Sequence, residues 1–379
     1  MQQEQDMSIA SLSEQDRHDW LRLARTDNVG PVTFHRLVER YGTAGKALEM
    51  LPELSRKGGR KKPLTAPPAA RINQELEAVD KAGGRILTAF DPDYPVSLAV
   101  LEDCPPVLTV LGNSHLLNKK CLGMVGARNA SINGRKMAEK LARECGERGD
   151  VVVVSGLARG IDAAAHAGAL ATGTVAVVGG GADVIYPKEN EKLYHAIVEQ
   201  GAVVAENPLG WQPRAQDFPR RNRIISGVSL GVAVIEATMR SGSLITARLA
   251  GEQGRDVMAV PGFPGDPRAQ GPNSLIKDGA LLIQSAEDIL ENFGPGHLYQ
   301  LDEKANNFFQ PEISGNGPGD LNDDFRILVL ENLSYTPLSV DELVRACNLS
   351  IGIVQEALLE LELAGRLTRH PGNRVSLTE

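Results

Sequence analysis

Residues 151–162 read Val151-Val152-Val153-Val154-Ser155-Gly156-Leu157-Ala158-Arg159-Gly160-Ile161-Asp162. Four consecutive valines leave no polar face, so they predict a strand buried on both sides. Ser155-Gly156 ends the strand in a tight turn, and Ile161–Ala171 follows at helical spacing. The same unit recurs along the chain. Leu122–Val125, Thr174–Val178, Val203–Ala205, Gly231–Ile235, Val257–Val260 and Leu281–Ile283 are further strand candidates. Helical stretches such as Gly134–Gly149, Glu191–Gln200 and Leu244–Gln253 lie between most of them. This alternation predicts an α/β fold with a mostly parallel sheet covered by helices on both faces. Its crossovers are expected to be right-handed, with ligands at the carboxyl ends of the strands.

Outward from this core the pattern changes twice. Residues 1–85 predict a small helical domain, in which Asn28-Val29-Gly30-Pro31 separates two amphipathic stretches. The layout resembles helix-hairpin-helix or sterile-alpha-motif-like (SAM-like) domains. Arg56-Lys57-Gly58-Gly59-Arg60-Lys61-Lys62-Pro63 then puts five cations in seven positions and reads as a flexible loop. The α/β domain is assigned to 86–295, and the Gly/Pro/Asn-rich residues 296–320 to a linker. Residues 321–379 predict three helices (Phe325–Leu330, Val340–Ala346, Ile351–Leu363) closed by a β-wing, a winged helix.

The 379 residues carry 40 Lys+Arg and 48 Asp+Glu, a net charge of −8. Taken whole, that acidity argues against a nucleic-acid partner. By segment the balance is +2 for 1–85, −3 for 86–295, −3 for the linker and −4 for the winged helix. The acidity is therefore concentrated near the end, and the core is close to neutral. The first six residues hold neither a basic nor a long apolar stretch, and no apolar run approaches membrane-spanning length. Four scattered cysteines without Cys-x-x-Cys spacing argue for a reducing cytoplasmic setting and against a zinc site.

The strand ends carry the expected chemistry. Gly126-Ala127-Arg128, Ser155-Gly156, Arg159-Gly160, Gly179-Gly180-Gly181 and Pro261-Gly262 predict open turns rich in N–H groups, suited to phosphate. Neither a dinucleotide fingerprint nor a P-loop is complete: Val184 replaces the third glycine after Gly179 and Gly181, and the only Gly-Lys pair, Gly45-Lys46, is followed by Ala47. Phe218-Pro219-Arg220-Arg221-Asn222-Arg223 is read as a phosphate clamp with an aromatic face for a base. The bland reading is a solvated helix start paired to Glu206 or Asp217. Ser241-Gly242-Ser243 is a second helix start suited to an anion, and Lys277 is placed with the same crevice.

In order along the chain, these motifs resemble those of the DNA-processing protein A family (DprA, or Smf). They run through Val125–Arg128, Ser155–Ala163, Ile185-Tyr186-Pro187 with Asn190, Glu206, Phe218–Gly227, Ser241–Ala247, Val260–Gly262 and Asn273–Ile276. Ala127 departs from the serine often found there. The resemblance implies an extended Rossmann-like, doubly wound core that dimerises. It implies a non-catalytic protein without cofactor or metal that binds single-stranded DNA, protects incoming strands and loads the RecA recombinase in natural transformation. A competing reading is a nucleotide-processing enzyme of the lysine-decarboxylase-like superfamily, although Leu249 stands where that group needs glutamate. A metal nuclease would need Asp162, Glu206 and Glu236 to converge. A duplex-reading regulator would need cations on the third winged helix, where Glu356, Glu360 and Glu362 stand instead.

Overall fold

The computed structural model describes residues 12–293, 323–370 and 372–378. The linker expected at 296–320 lies outside them. Two compact units emerge, one from residues 75–310 and one that joins 1–74 to 311–379.

The first unit is built on a nine-stranded sheet: β1 Gly84–Thr88, β2 Val107–Gly112, β3 Lys120–Gly126, β4 Val151–Ser155, β5 Thr174–Val177, β6 Ala202–Ala205, β7 Gly231–Ile235, β8 Asp256–Ala259 and β9 Leu281–Leu282. Their order across the sheet is β1-β2-β6-β5-β4-β3-β7-β8-β9. β6 through β9 in this order are parallel, whereas β1 and β2 add on antiparallel. The chain steps one way from β3 to β6 and the other way from β7 to β9. The β3–β7 junction is therefore the switch point, where open α/β sheets bind ligands.

Alternation along each strand sorts the core into two faces. Cys121, Val125, Val152, Val154, Val232 and Val234 meet Ile224, Ile225 and Val228 of α9 (Asp217–Val228) and Ala247 and Ala250 of α10 (Ser243–Glu252). Leu122, Met124, Val151, Val153 and Ile235 meet α6 (Ile132–Gly149), α7 (Ile161–Ala169) and α12 (Ala286–Leu290). Towards β6, Tyr194 and Ile197 of α8 (Glu191–Gln200) cover Ala176 and Val203. Helices α5 (Val96–Ala99) and α11 (Gln270–Lys277) complete the unit. The four cysteines are free and buried, and no helix among the described residues is long and apolar enough to cross a membrane.

The second unit joins the two ends of the chain. Its N-terminal helices are α1 (Glu14–Ala24), α2 (Pro31–Tyr41), α3 (Ala44–Lys57) and the start of α4 (Ala69–Lys81). Trp20 and Phe34 meet edge to face at 4.6 Å in their core. The C-terminal part holds α13 (Asp323–Glu331), α14 (Val340–Cys347) and α15 (Ile351–Leu363), with a three-stranded sheet of β10 (Leu338–Ser339), β11 (Leu367–His370) and β12 (Arg374–Leu377). This is the winged helix, and its third helix packs on α3.

The acidic residues of α15 are matched one by one. Glu356 pairs with Arg40, and Glu360 with Arg326 at 2.6 Å. Glu362 pairs with Arg369 at 2.7 Å and accepts the Thr33 hydroxyl at the start of α2, where the helix dipole favours an anion. The 56–63 segment is irregular beyond Lys57, and packing holds its ends. Arg56 and Lys57 belong to the last turn of α3. A Cβ on Gly58 would collide with the Glu360 carbonyl. Leu64 is buried, its N–H bonded to Ser55 Oγ at 2.9 Å.

Candidate nucleic-acid interface

Four of the amides expected to be open at the strand ends are bonded within the protein. Ala127 N–H donates to the Glu236 carbonyl at 2.6 Å, and Gly156 N–H donates to the Asp162 carboxylate at 3.1 Å. Gly181 N–H donates to the Trp211 carbonyl at 2.9 Å, and Gly262 N–H to Asn273 Oδ1 at 3.1 Å. Ser155 is wholly buried, its hydroxyl donating to the Met124 carbonyl at 2.6 Å. The glycines answer to the fold rather than to a ligand. A Cβ on Gly126 would strike the Ile235 carbonyl, and one on Gly160, at φ 82°, the Ala127 carbonyl. Gly126, Ser155, Gly156 and Gly160 thus shape the turns by packing, and of the groups expected in an anion cradle the Ser155 hydroxyl and the Gly156 amide are engaged inside the protein.

The arginine run divides. Arg220 is exposed and forms no ion pair among the described residues. Arg221 is 7% exposed, and its guanidinium lies on Gly156, donates to the Val177 carbonyl and faces Asp162. Burial lowers its pKa to about 10, against the pull of Asp162. Arg223 points inward too, bonded to Glu206 at 2.6 Å and to the Asp103 carbonyl at 2.6 Å. Two of the three arginines are therefore internal braces and not clamps. Their orientation follows from the helix: Arg221 stands three and four residues before Ile224 and Ile225, on the buried face of α9. The Asp217 carboxylate takes Trp211 Nε1 at 3.1 Å and Arg214 N–H at 2.8 Å instead of an arginine side chain.

What remains outside is an aromatic and cationic ledge. Arg128, exposed at the end of β3, lies over the Phe218 ring at 5.7 Å. Tyr186, half exposed, has its ring 5.5 Å from that of Phe218. Tyr186 was not among the expected site residues, although its Ile185-Tyr186-Pro187 run follows directly on the β5 loop. Asn222 reaches the Gly242 carbonyl at 3.4 Å and so links the starts of α9 and α10. Gly242 is exposed, but Ser241 and Ser243 bond to each other at 2.7 Å. Arg159 is exposed and sits 3.7 Å from Glu189 on the surface.

Lys277 does not join this group. Helix α11 starts beside the carboxyl end of β7, where Gly271 N–H donates to the Ala237 carbonyl at 2.8 Å. Eight residues at about 1.5 Å each carry it back along the sheet. Its end shares a cavity, through Asp278 and Gly279, with Arg255 and with Asp256, the first residue of β8. Lys277 is therefore at the amino end of the sheet.

The three carboxylates that a metal nuclease would gather are separately engaged. Asp162 holds the Gly156 and Ala158 amides, and burial raises its pKa. Glu206 holds Arg223, and Glu236 holds Ser131 at the start of α6. His166 is buried against Thr174 Oγ1 at 2.7 Å; burial first, and then the charge of Arg221, lower its pKa to about 3. Leu249, in place of the glutamate of the competing enzyme reading, is buried in α10.

Comparison with known proteins accounts for this arrangement of parts. Residues 85–294 match the family model described as DNA recombination-mediator protein A. Residues 14–78 match a DprA-like N-terminal HHH domain, and residues 318–373 a DprA winged helix domain. Protein Smf of Escherichia coli strain K12 is 40% identical over 313 residues, 82% of this chain and 82% of that protein. The X-ray structure of DNA processing protein A from Streptococcus pneumoniae superposes with a TM-score of 0.60 at 34% identity, covering 74% of this chain and 98% of that one. A structure from Helicobacter pylori, described for the single-stranded DNA binding mode of its DNA processing protein A, gives 0.51 at 27% identity, covering 55% and 95%. With the family model matching more than half of the chain and a relative aligned along four-fifths of it, the chain belongs to the DprA/Smf family.

Proposed function

We propose that the chain binds single-stranded DNA on the Arg128–Phe218–Tyr186 ledge, in the cytoplasm and without catalysing a reaction. In this reading it protects incoming strands and loads the RecA recombinase in natural transformation. The observation that carries the reading is the exposed pairing of a guanidinium with two aromatic rings at the switch point of the sheet. Rings stack any base, and Arg128 with Arg220 and Arg159 supplies charge for the phosphates, so binding tolerates sequence. A duplex hides its bases from such a ledge, which favours single strands. The structure of the Helicobacter pylori relative, described for its single-stranded DNA binding mode, supports the same assignment. Homodimerisation is assigned to the sheet edge at β9, where Leu281 and Leu282 are 39% and 45% exposed.

The test is a titration of labelled oligothymidylate and of a duplex of equal length, with the mass of the free protein taken by sedimentation. Phe218→Ala is expected to weaken single-strand binding by about 1–3 kcal/mol, roughly 5- to 150-fold, with Arg128→Ala weaker too. RecA filament nucleation on the same strand is expected to rise with the native chain and not with Phe218→Ala. Unchanged affinity in folded variants would falsify the site. Equal affinity for duplex would remove the strand preference, and a monomer at micromolar concentration the dimer.

A further inference from the structure

The unit formed by the two chain ends carries a cationic surface that neither end possesses alone. Arg60 and Arg366 are far apart in sequence but flank one contact. Arg60 Nη1 donates to the Leu363 carbonyl at 3.3 Å, and Arg366 Nη1 reaches the Gly58 carbonyl at 3.5 Å. A Cβ on Gly59 would stand 3.1 Å from Arg366 Nη1, and one on Gly365 would stand 3.8 Å from Arg60 Nη1. Lys61 and Lys62 continue from Arg60 and are exposed, as is Arg366. None of these four cations forms an ion pair among the described residues.

Arg60 has a structural task, since it satisfies a carbonyl at the end of α15. Lys61 and Lys62 have none. The single long bond of Arg366 leaves most of its five N–H groups directed elsewhere. The acidity of the winged helix does not cancel this surface, because Glu356, Glu360 and Glu362 are each held by an arginine of their own. Glu53 is likewise matched by Lys57 at 3.1 Å.

We propose that Arg60, Lys61, Lys62 and Arg366 form a second phosphate-binding surface, for the backbone of a nucleic-acid strand, on the unit that does not contain the ledge. The chemistry favours a polyphosphate over an acidic protein. Residues 56–62 and 365–366 contain no apolar side chain, and protein interfaces take most of their energy from buried apolar or aromatic anchors. Flexible ammonium groups beside a guanidinium suit a chain of phosphates held without sequence preference.

The experiment uses the full chain carrying Lys61→Glu, Lys62→Glu and Arg366→Ala, titrated with oligothymidylate and with duplex over a range of salt. Both lysines are exposed, so folding is preserved, and unfolding curves check it. Losing three phosphate contacts is expected to flatten the slope of log K against log salt by about 2 for the single strand. The Lys61→Arg and Lys62→Arg chain, which keeps the charge, is expected to retain the native slope. Added to Phe218→Ala, the triple change is expected to abolish the salt-sensitive binding that remains. Native slopes for both nucleic acids would overturn the proposal. So would a loss confined to polyglutamate binding, which would make the surface a protein contact. Loss of DNA binding in the triple variant with no effect of Phe218→Ala would leave this surface standing and remove the ledge instead.

Discussion

The start of α9 and the end of α3 are both dense in cations along the chain, and the fold treats them in opposite ways. In α9, Arg221 and Arg223 turn into the protein and brace Val177, Glu206 and Asp103, while Arg220 alone faces water. After α3, Lys61 and Lys62 stay outside, and the second chain end adds Arg366 to them. A local run of charge on a helix is spread around its axis, so its members meet different surroundings. Beyond α3 the run leaves the helix, and Lys61 and Lys62 both stay exposed in the irregular stretch that follows. Density of charge in the sequence is thus weaker evidence of a binding surface than the element that carries it.

This contrast is sharpest in stability. Arg221→Ala and Arg223→Ala are each expected to cost about 3 kcal/mol or more in denaturant unfolding, because each leaves buried partners unmatched. Arg220→Ala is expected to stay within about 0.5 kcal/mol. Equal stability of all three variants would mean that none of them is internal.

The buried neighbourhood of Arg221 also carries a pH dependence. The folded-state pKa of His166 is depressed from 6.5 to about 3. Its contribution is therefore fully present above pH 6.5 and is lost as the pH falls towards 3, where the unfolded chain binds a proton that the folded chain refuses. The expected loss is up to about 1.4 kcal/mol per pH unit. Unfolding free energies of the native and His166→Gln chains, measured from pH 7 to 4, are expected to converge as the pH falls. A constant difference between them would place His166 in contact with water. The smallest effect belongs to Lys277→Ala, at the far end of the sheet, where single-strand affinity is expected not to change.

The five central parallel strands, β3 to β7, were legible because a strand buried on both faces must be a continuous apolar run, and Val151–Val154 leaves no other reading. β1 and β2 were not. β1 mixes exposed and buried positions at the sheet edge, so its pattern matches no single template. Of the site, Arg128 and Phe218 were legible from their positions at a strand end and just before a basic run. The inward turn of Arg221 was available in principle, from its spacing to Ile224 and Ile225, but the charge of the run masked it.

The sequence by itself determined the seven parallel strands, the helices between them and the family, since each depends on local periodicity or on motifs in order, whereas the strand order and its switch point came from the fold. Only the tertiary structure decided which cations face water. That choice depends on what each side chain meets across space: Gly156 leaves room for the Arg221 guanidinium, Glu206 neutralises Arg223, and Leu363 brings Arg366 beside Arg60. Matching removes charges in pairs and leaves the net charge of −8 unchanged. What a nucleic acid meets is set by where the unmatched cations stand and not by the total.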